Sequence, residues 1–557
     1  MFHGRLTRSF FSLWLLALII IPTHSTAAPP LHRWSALYGD IAFQRGVAAA
    51  TDPGGNLLVT GFVQGTTNFG GGGLASAGSN DVAVAKFSPL GVHQWSKLFG
   101  DANSQVPTGI ASDASSNVYV VGTFRGGINF GGGVMTSAGD EDIFVAKLSP
   151  SGGFLWSKRF GDSNFQYCSD VVIDAAGNVI ITGRFRGTVN FGGSNLTAPL
   201  GNTDDYVAKF DGNGAHLWSI RMPSKQAFHN YLAVDGSGNI YMHGTFTTSI
   251  DLGAGPVASM GDSDIFLARF DASGVHQWSQ RFGDARPQVA SGIASDNAGN
   301  LYVVGRFGGT TNLGGPPLVA PDDLNIYVAK FNSSGTHQWS HGYGDAAEQT
   351  GTAVTLDAAG NPWFSGYFDG SIDLGGGVLT TAGTYDLFVA QFDPNGNHIC
   401  SGRYGDLEIQ WGTGMAANQF GDVFMTGSIY DSVDFGGGWL SSAGDEDFFI
   451  ADFGSISTGV GDTPARSALS ISCYPNPFNP ETTIRYYVPS RGRIAVEIYD
   501  ARGARVTTLL DSVSEAGWFE RSWNGVDARG RAVGSGVYFA RITHTSGTRV
   551  HKLTLLK

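Results

Sequence analysis

The sequence predicts an all-β protein: a seven-bladed β-propeller with N-terminal strand closure, followed by a small β-sandwich. Three observations predict it. The stretch WSKLFGD at Trp95–Asp101 recurs at Trp34, Trp95, Trp156, Trp218, Trp278 and Trp339, with a degenerate seventh copy, CSGRYGD, at Cys400. Successive starts lie 61, 61, 62, 60, 61 and 61 residues apart, which marks a repeat protein. Each unit reads as four short apolar-rich pieces bounded by Gly, Asn, Asp, Ser and Pro with no helix-period stretch, a four-stranded antiparallel meander. Third, 81 glycines in 557 residues is about twice the usual share of roughly 7%, which suits many short strands joined by tight turns.

Units of ~60 residues are long for a linear solenoid and short of core for independent domains. The edges decide for a ring. The seventh unit ends at Phe453 without a WSxxFGD strand, whereas Trp34 to Asp40 is such a strand with no meander before it. The first segment therefore completes the last blade and removes an open edge. The expected organisation is a signal peptide at 1–28, a propeller at 31–453, a linker at 454–469 and a C-terminal domain at 470–557.

At the N-terminus, Arg5 and Arg8 precede an apolar run from Phe10 to Ile21, then Pro22 and small residues ending Thr26-Ala27-Ala28. This reads as a secretory signal peptide, so the mature chain is expected to be secreted or at the cell surface without a transmembrane anchor. Cys168, Cys400 and Cys473 are too dispersed to indicate a disulfide framework. The chain carries a formal charge of −13; from Arg466 onward 13 basic residues face 7 acidic ones, a balance of +6 that leaves −19 on the rest. An acidic body argues against nucleic acid as a partner.

Within the repeat, Ala-x5-Gly-x3-Trp occurs at Ala85, Gly91 and Trp95 and again at Ala268, Gly274 and Trp278. It is similar to the tryptophan-docking motif of pyrroloquinoline-quinone propellers, and one residue longer than the Asp box of sialidases. Trp34, Trp95, Trp156, Trp218, Trp278 and Trp339 are accordingly expected to be scaffold. Asp-x-x-Gly-Asn, at Asp52, Asp174, Asp235, Asp296 and Asp357, has the look of an Asx-capped hairpin turn and lacks the alternating oxygen ligands of an EF-type loop. Gln44, Gln105, Gln166, Gln288, Gln349 and Gln410 stand eight residues before each turn and are candidates to line a channel or rim. Three residues further on, the mostly small polar set Val47, Thr108, Ser169, Asn230, Ser291, Thr352 and Thr413 could face the channel or satisfy backbone groups. The Asn/Asp-Phe/Leu-Gly loops and the Gly-Asp turns should share an acidic rim, where carboxylates are turn formers before they are calcium ligands. No other cofactor is indicated.

No nucleophile–base–acid set emerges, so no catalytic residue is assigned. The symmetry breaks most in blade 4, where Met222-Pro223 replaces Phe-Gly and Lys225, His229, Asn230 and Tyr231 follow. Lys225, His229 and Tyr231 could do acid–base work, or be drift in one loop.

Asp296, Gly299, Asn300, Tyr302 and Gly305, with Asp142, Phe144, Val145 and Lys147, make the repeats resemble the bacterial β-propeller repeat called SBBP over about 420 residues, a family that implies an architecture but no reaction. Beyond the linker, YPNPFNPETTIRYYVP at Tyr474–Pro489, IAVEIYDARGARV, an AGW turn, WNGVDARGRAVGSGVYFARI and HKLTLLK resemble the type A sorting domains of the type IX secretion system and the related Ig-like domain of flagellar hook-cap proteins. Alternating apolar residues in roughly seven short strands agree independently with a small sandwich. The resemblance implies secretion machinery as a partner. The favoured function is a secreted, non-enzymatic propeller that binds a protein or glycan at the cell surface; a polysaccharide hydrolase or lyase and a structural envelope component are the alternatives.

Overall fold

A computed structural model describes residues 28–455, 469–474, 478, 480–514 and 517–556. The expected signal peptide and most of the expected linker lie outside the described residues. Among these residues all regular structure is strand.

Seven antiparallel sheets succeed one another along the chain, six of four strands and one, beginning at Ser224, of five. Blade 1 comprises Gln44–Thr51, Leu57–Val63, Asp81–Phe87 and His93–Phe99, and blades 2 to 6 repeat it, beginning at Gln105, Gln166, Ser224, Gln288 and Gln349. The inner strand of each blade packs on that of the next, and the inner strand of blade 7, Gln410–Ala417, packs on Gln44–Thr51, which closes the ring. The outer strand of blade 7 is Leu31–Tyr38, antiparallel to Asp447–Gly454, with Trp34 opposite Asp452 and Tyr38 opposite Phe448. The expected N-terminal closure is present.

The second and third strands of each blade are apolar because they are buried on both faces; Val118–Phe124 and Asp142–Leu148 are buried throughout. Six of the inner strands carry one bulge, as between Gly46 and Ala48 and between Gly412 and Gly414, and it falls on the mostly small polar set that starts at Val47; the inner strand of blade 4 shifts register twice, between Ser224 and Gln226 and between Ala227 and Asn230. Between the second and third strands most blades insert a two-stranded hairpin, such as Thr66–Thr67 with Leu74–Ala75. In the C-terminal region a three-stranded sheet starting at Ser470 and a four-stranded sheet starting at Gly492 share one core, which includes Ile484, Ile498, Trp523 and Leu553. Its arginines are largely surface cations with local acidic partners, such as Arg493 with Asp511 at 2.8 Å and Arg531 with Asp527 at 2.8 Å.

Candidate functional site

The repeated residues have repeated jobs. Each docking indole donates to a backbone carbonyl of the next blade: Trp34 to Pro89 at 3.2 Å, Trp95 to Pro150 at 2.9 Å, Trp156 to Gly212 at 3.2 Å, Trp218 to Ala272 at 3.3 Å, Trp278 to Ser333 at 3.2 Å and Trp339 to Pro394 at 3.1 Å. The receiving turn needs glycine for two reasons. Gly91 has φ of 74°, and a Cβ there would stand 2.7 Å from the Trp34 ring.

The glutamines Gln44, Gln105, Gln166, Gln288, Gln349 and Gln410 line neither channel nor rim, because all six are fully buried. Gln44 Nε2 donates to Asp40 Oδ1 at 2.8 Å and to the Gln64 carbonyl at 2.6 Å, while its Oε1 accepts from the Asp40 N–H at 3.1 Å. One amide thus ties the turn entering a blade to the turn between its second and third strands, and a buried amide needs such partners. The rim carboxylates are held by backbone N–H groups: Asp40 accepts from Ala42 and Thr66, which keep its carboxyl below the usual value although burial opposes them. At the Asx turn, Asp52 Oδ1 accepts from Gly54 and Asn56, and Oδ2 pairs with Lys86 at 2.7 Å.

What the repeat does not explain gathers at the axial end where the inner strands begin. Residues immediately after the buried glutamines vary: Arg45, Val106, Tyr167, Val289, Thr350 and Trp411. With residues at the ends of the second strands they form an arc over blades 5, 6, 7 and 1. Arg306 Nη1 donates to Glu348 Oε1 at 2.5 Å, and Tyr385 OH donates to Glu348 Oε2 at 3.2 Å. Tyr385 meets Tyr367 edge-on at 5.5 Å between ring centroids, Tyr367 lies 6.5 Å from Trp411, and Trp411 meets Tyr430 at 6.3 Å. The Arg45 guanidinium sits 4.8 Å from the Trp411 ring, 5.5 Å from Phe43 and 5.9 Å from Phe62. The buried Glu446 holds that guanidinium through two bonds, Nε to Oε1 at 2.6 Å and Nη2 to Oε2 at 2.7 Å. Phe43, Phe62, Tyr367, Tyr385, Trp411 and Tyr430 all keep part of their surface in solvent.

A second group lies at the same end in blades 3 and 4 and includes the residues singled out from sequence. Phe165, Tyr167 and His229 are near-parallel, with centroids 6.0 Å and 5.5 Å apart, and Arg184 lies 5.0 Å from the Tyr167 ring. Desolvation, then the Arg184 charge, push the His229 imidazole below its usual value, although the residue keeps much of its surface in solvent. Burial raises the Tyr231 hydroxyl, and Lys225 is exposed. No hydrogen bond or ring contact joins Lys225, His229 and Tyr231 among the described residues, so they do not form one acid–base set.

Beside them stand two acids that the sequence reading missed, Asp205 buried and Asp170 half-buried. Asp205 occupies a position that is Val82, Ile143, Ile265, Ile326, Leu387 and Phe448 in the other blades, and it is equally buried. Burial drives its carboxyl well above the usual range, against the pull of the Asn230 amide at 2.6 Å and of Arg184. Asp170 is raised to about 7 by burial, opposed by the Leu232 and Val171 N–H groups. His243 sits where other blades have Thr, Val or Ser; burial lowers it to about 4 against the Gly292 carbonyl, and its other nitrogen meets Tyr327 OH at 3.0 Å. Comparing each blade column by column for charged residues at uncharged positions would have found Asp205 and Asp170.

The profile described as a β-propeller repeat, SBBP, matches residues 94–123 and 277–306. The profile described as a secretion system C-terminal sorting domain matches residues 472–555. The chain therefore carries SBBP propeller repeats and a sorting domain of the type IX secretion class. An uncharacterized WD repeat-containing protein of Acanthamoeba polyphaga mimivirus is 21% identical over 462 residues, 65% of this chain, which spans about a third (33%) of that relative's length. Among solved structures, PorZ, a bacterial surface component of the type-IX secretion system of Porphyromonas gingivalis, aligns at 10% identity and a TM-score of 0.25, over 94% of this chain and 100% of PorZ. A puromycin hydrolase aligns at 11% identity and a TM-score of 0.40, over 80% of this chain and 59% of the hydrolase. The sorting domain marks the protein for export to the cell surface or the medium. No helix among the described residues is long and apolar enough to cross a membrane.

Proposed function

We propose that this exported propeller is a binding protein, and that its ligand face is the end of the ring where the inner strands begin. One observation carries the reading. The residues that recur in every blade are consumed in joining blades and capping turns, whereas the arc from Arg306 to Phe62 breaks the repeat and leaves six aromatic rings partly in solvent. Binding sites combine apolar and aromatic surface with a few fixed polar groups, and half-buried rings gathered around two fixed ion pairs have that composition. The sorting domain would bring that face outside the cell, with secretion machinery as its first partner.

A turnover reading rests on the blade 3 and 4 group, since shifted titratable groups cluster at functional sites. Asp205, Asp170 and His229 are shifted there, but Asp205 is sealed from solvent. Residues 29–557 should capture a surface polysaccharide or an outer-membrane protein from a binding array without altering it. Trp411→Ala and Tyr367→Ala should weaken capture while leaving the unfolding temperature within about 2 °C. Release of reducing ends or peptides from the captured molecule would make the protein an enzyme and overturn the reading.

A further inference from the structure

We infer, on the basis of the binding reading above, that the arc over blades 5, 6, 7 and 1 takes an uncharged glycan chain, with sugar rings against Tyr367 and Trp411 and hydroxyls at Arg45 and at the Arg306–Glu348 pair. Charge is the first argument. Each arginine of the arc is engaged by a carboxylate of the arc, Arg45 by Glu446 and Arg306 by Glu348, so the two pairs are neutral toward an anionic polymer. The body behind it carries −19 outside the C-terminal region, a field that repels polyanions. A phosphate or uronate polymer would meet repulsion and no free cationic fork.

The remaining hydrogen-bonding capacity is the second argument. Glu446 takes the Nε and one Nη2 hydrogen of Arg45, and a guanidinium carries five N–H donors in a fixed plane. Glu348 and Arg306 keep 31% and 29% of their side chains exposed. The arc therefore presents a fixed donor at Arg45, whose buried partner Glu446 also accepts from Ser428 and Tyr430, and a donor beside an acceptor at Arg306 and Glu348. Between the two pairs lie Tyr385, Tyr367 and Trp411, half-buried rings whose remaining surface can meet the C–H face of a pyranose, the Arg45 guanidinium already lying over the Trp411 ring. Shape is the third. The groups follow one another from blade 5 to blade 1 and match an extended chain better than a single small molecule.

The test uses residues 29–557 with hexasaccharides of glucose, mannose and xylose as neutral probes, and oligogalacturonate and heparin as anionic ones, followed by calorimetry and Trp fluorescence. A neutral hexasaccharide should bind and perturb Trp emission, with an affinity that changes less than about twofold between ~0.05 and ~0.5 M salt. Trp411→Ala and Tyr367→Ala should each weaken it by about tenfold or more, and Trp95→Phe, in blade 1 away from the arc, should not. Binding confined to the anionic probes, or falling steeply with salt, would overturn the uncharged class of glycan while leaving the binding reading intact. A protein partner lost on Trp411→Ala, with no saccharide bound, would do the same. Saccharide binding indifferent to both substitutions would overturn the site itself, and with it the assignment of the ligand face.

Discussion

Blades 1 to 6 are each one unbroken run of chain, whereas blade 7 is assembled from the two ends of the propeller, and its departures from the repeat follow from that difference. In blade 1 the Asx turn runs from Asp52 to Asn56, and Lys86 of the third strand neutralises the aspartate. In blade 7 the same turn runs from Asn418 to Asp422, with amide and carboxylate exchanged, and the third strand carries Asp452 in place of the lysine. The cation comes instead from Arg33 on the closing strand, which pairs with the buried Asp422. Blade 6 shows the other consequence. Its outer strand has Cys400 where an indole would dock, and blade 7 has no turn between its third and fourth strands to receive one, since the chain enters and leaves there. Such exceptions are imposed by topology. Those at Asp170, Asp205 and His243 sit in blades made of continuous chain, where no closure requires them.

The largest effect should come from breaking the closure. Deleting Leu31–Asp40 removes the outer strand of blade 7 together with Trp34 and Arg33, and we expect loss of the cooperative thermal transition, while removal of ten linker residues leaves it in place. An unchanged melting curve would dismiss the closure as the feature that sets blade 7 apart. Next, Arg33→Met should cost about 3–5 kcal/mol in urea unfolding because it strands a buried carboxylate. Adding Asp422→Asn should recover most of that loss, and failure to recover would mean that the pair does not couple the chain ends.

Docking tryptophans sharpen the same contrast. Trp34 is 9% exposed, whereas Trp278 is only partly buried. Trp34→Ala should therefore cost about 3–5 kcal/mol and Trp278→Ala about half of that. Cys400→Ala should cost about 1 kcal/mol, as loss of a single buried sulfur. Equal losses at Trp34 and Trp278 would remove any special role for the closing strand. Smallest is the effect of pH at the unforced exceptions. A histidine lowered to about 4 binds fewer protons folded than unfolded, so His243 makes stability fall as pH drops from 6.5 toward 4. Asp170, raised to about 7, binds more protons folded, so its contribution falls as pH rises from 3.8 to 7. We expect His243→Val to flatten the acid limb of a melting-temperature profile. Asp170→Asn should raise the melting temperature at pH 8 relative to pH 4. A profile untouched by both would show that these groups are solvated in solution.

By itself the sequence determined the period, the strands, the docking role of the tryptophans and the N-terminal closure, because each repeats or visibly fails to repeat at fixed spacing, and local turn chemistry and apolar alternation leave their trace in neighbouring residues. The role of the glutamines was legible only as a column. Six equivalent polar residues look like a channel lining until the fold shows that each amide is enclosed by its own turns. The arc left no local trace. Arg45 and Glu446 lie 401 residues apart, and the position after each glutamine varies from valine to tryptophan, so no motif joins them. Only the closing of the ring brings the first blade against the seventh and sets a guanidinium between its carboxylate and three aromatic rings. For the same reason the pairing of Arg33 with Asp422 could not be read from spacing: a contact between chain ends exists only once the tertiary structure has made them neighbours.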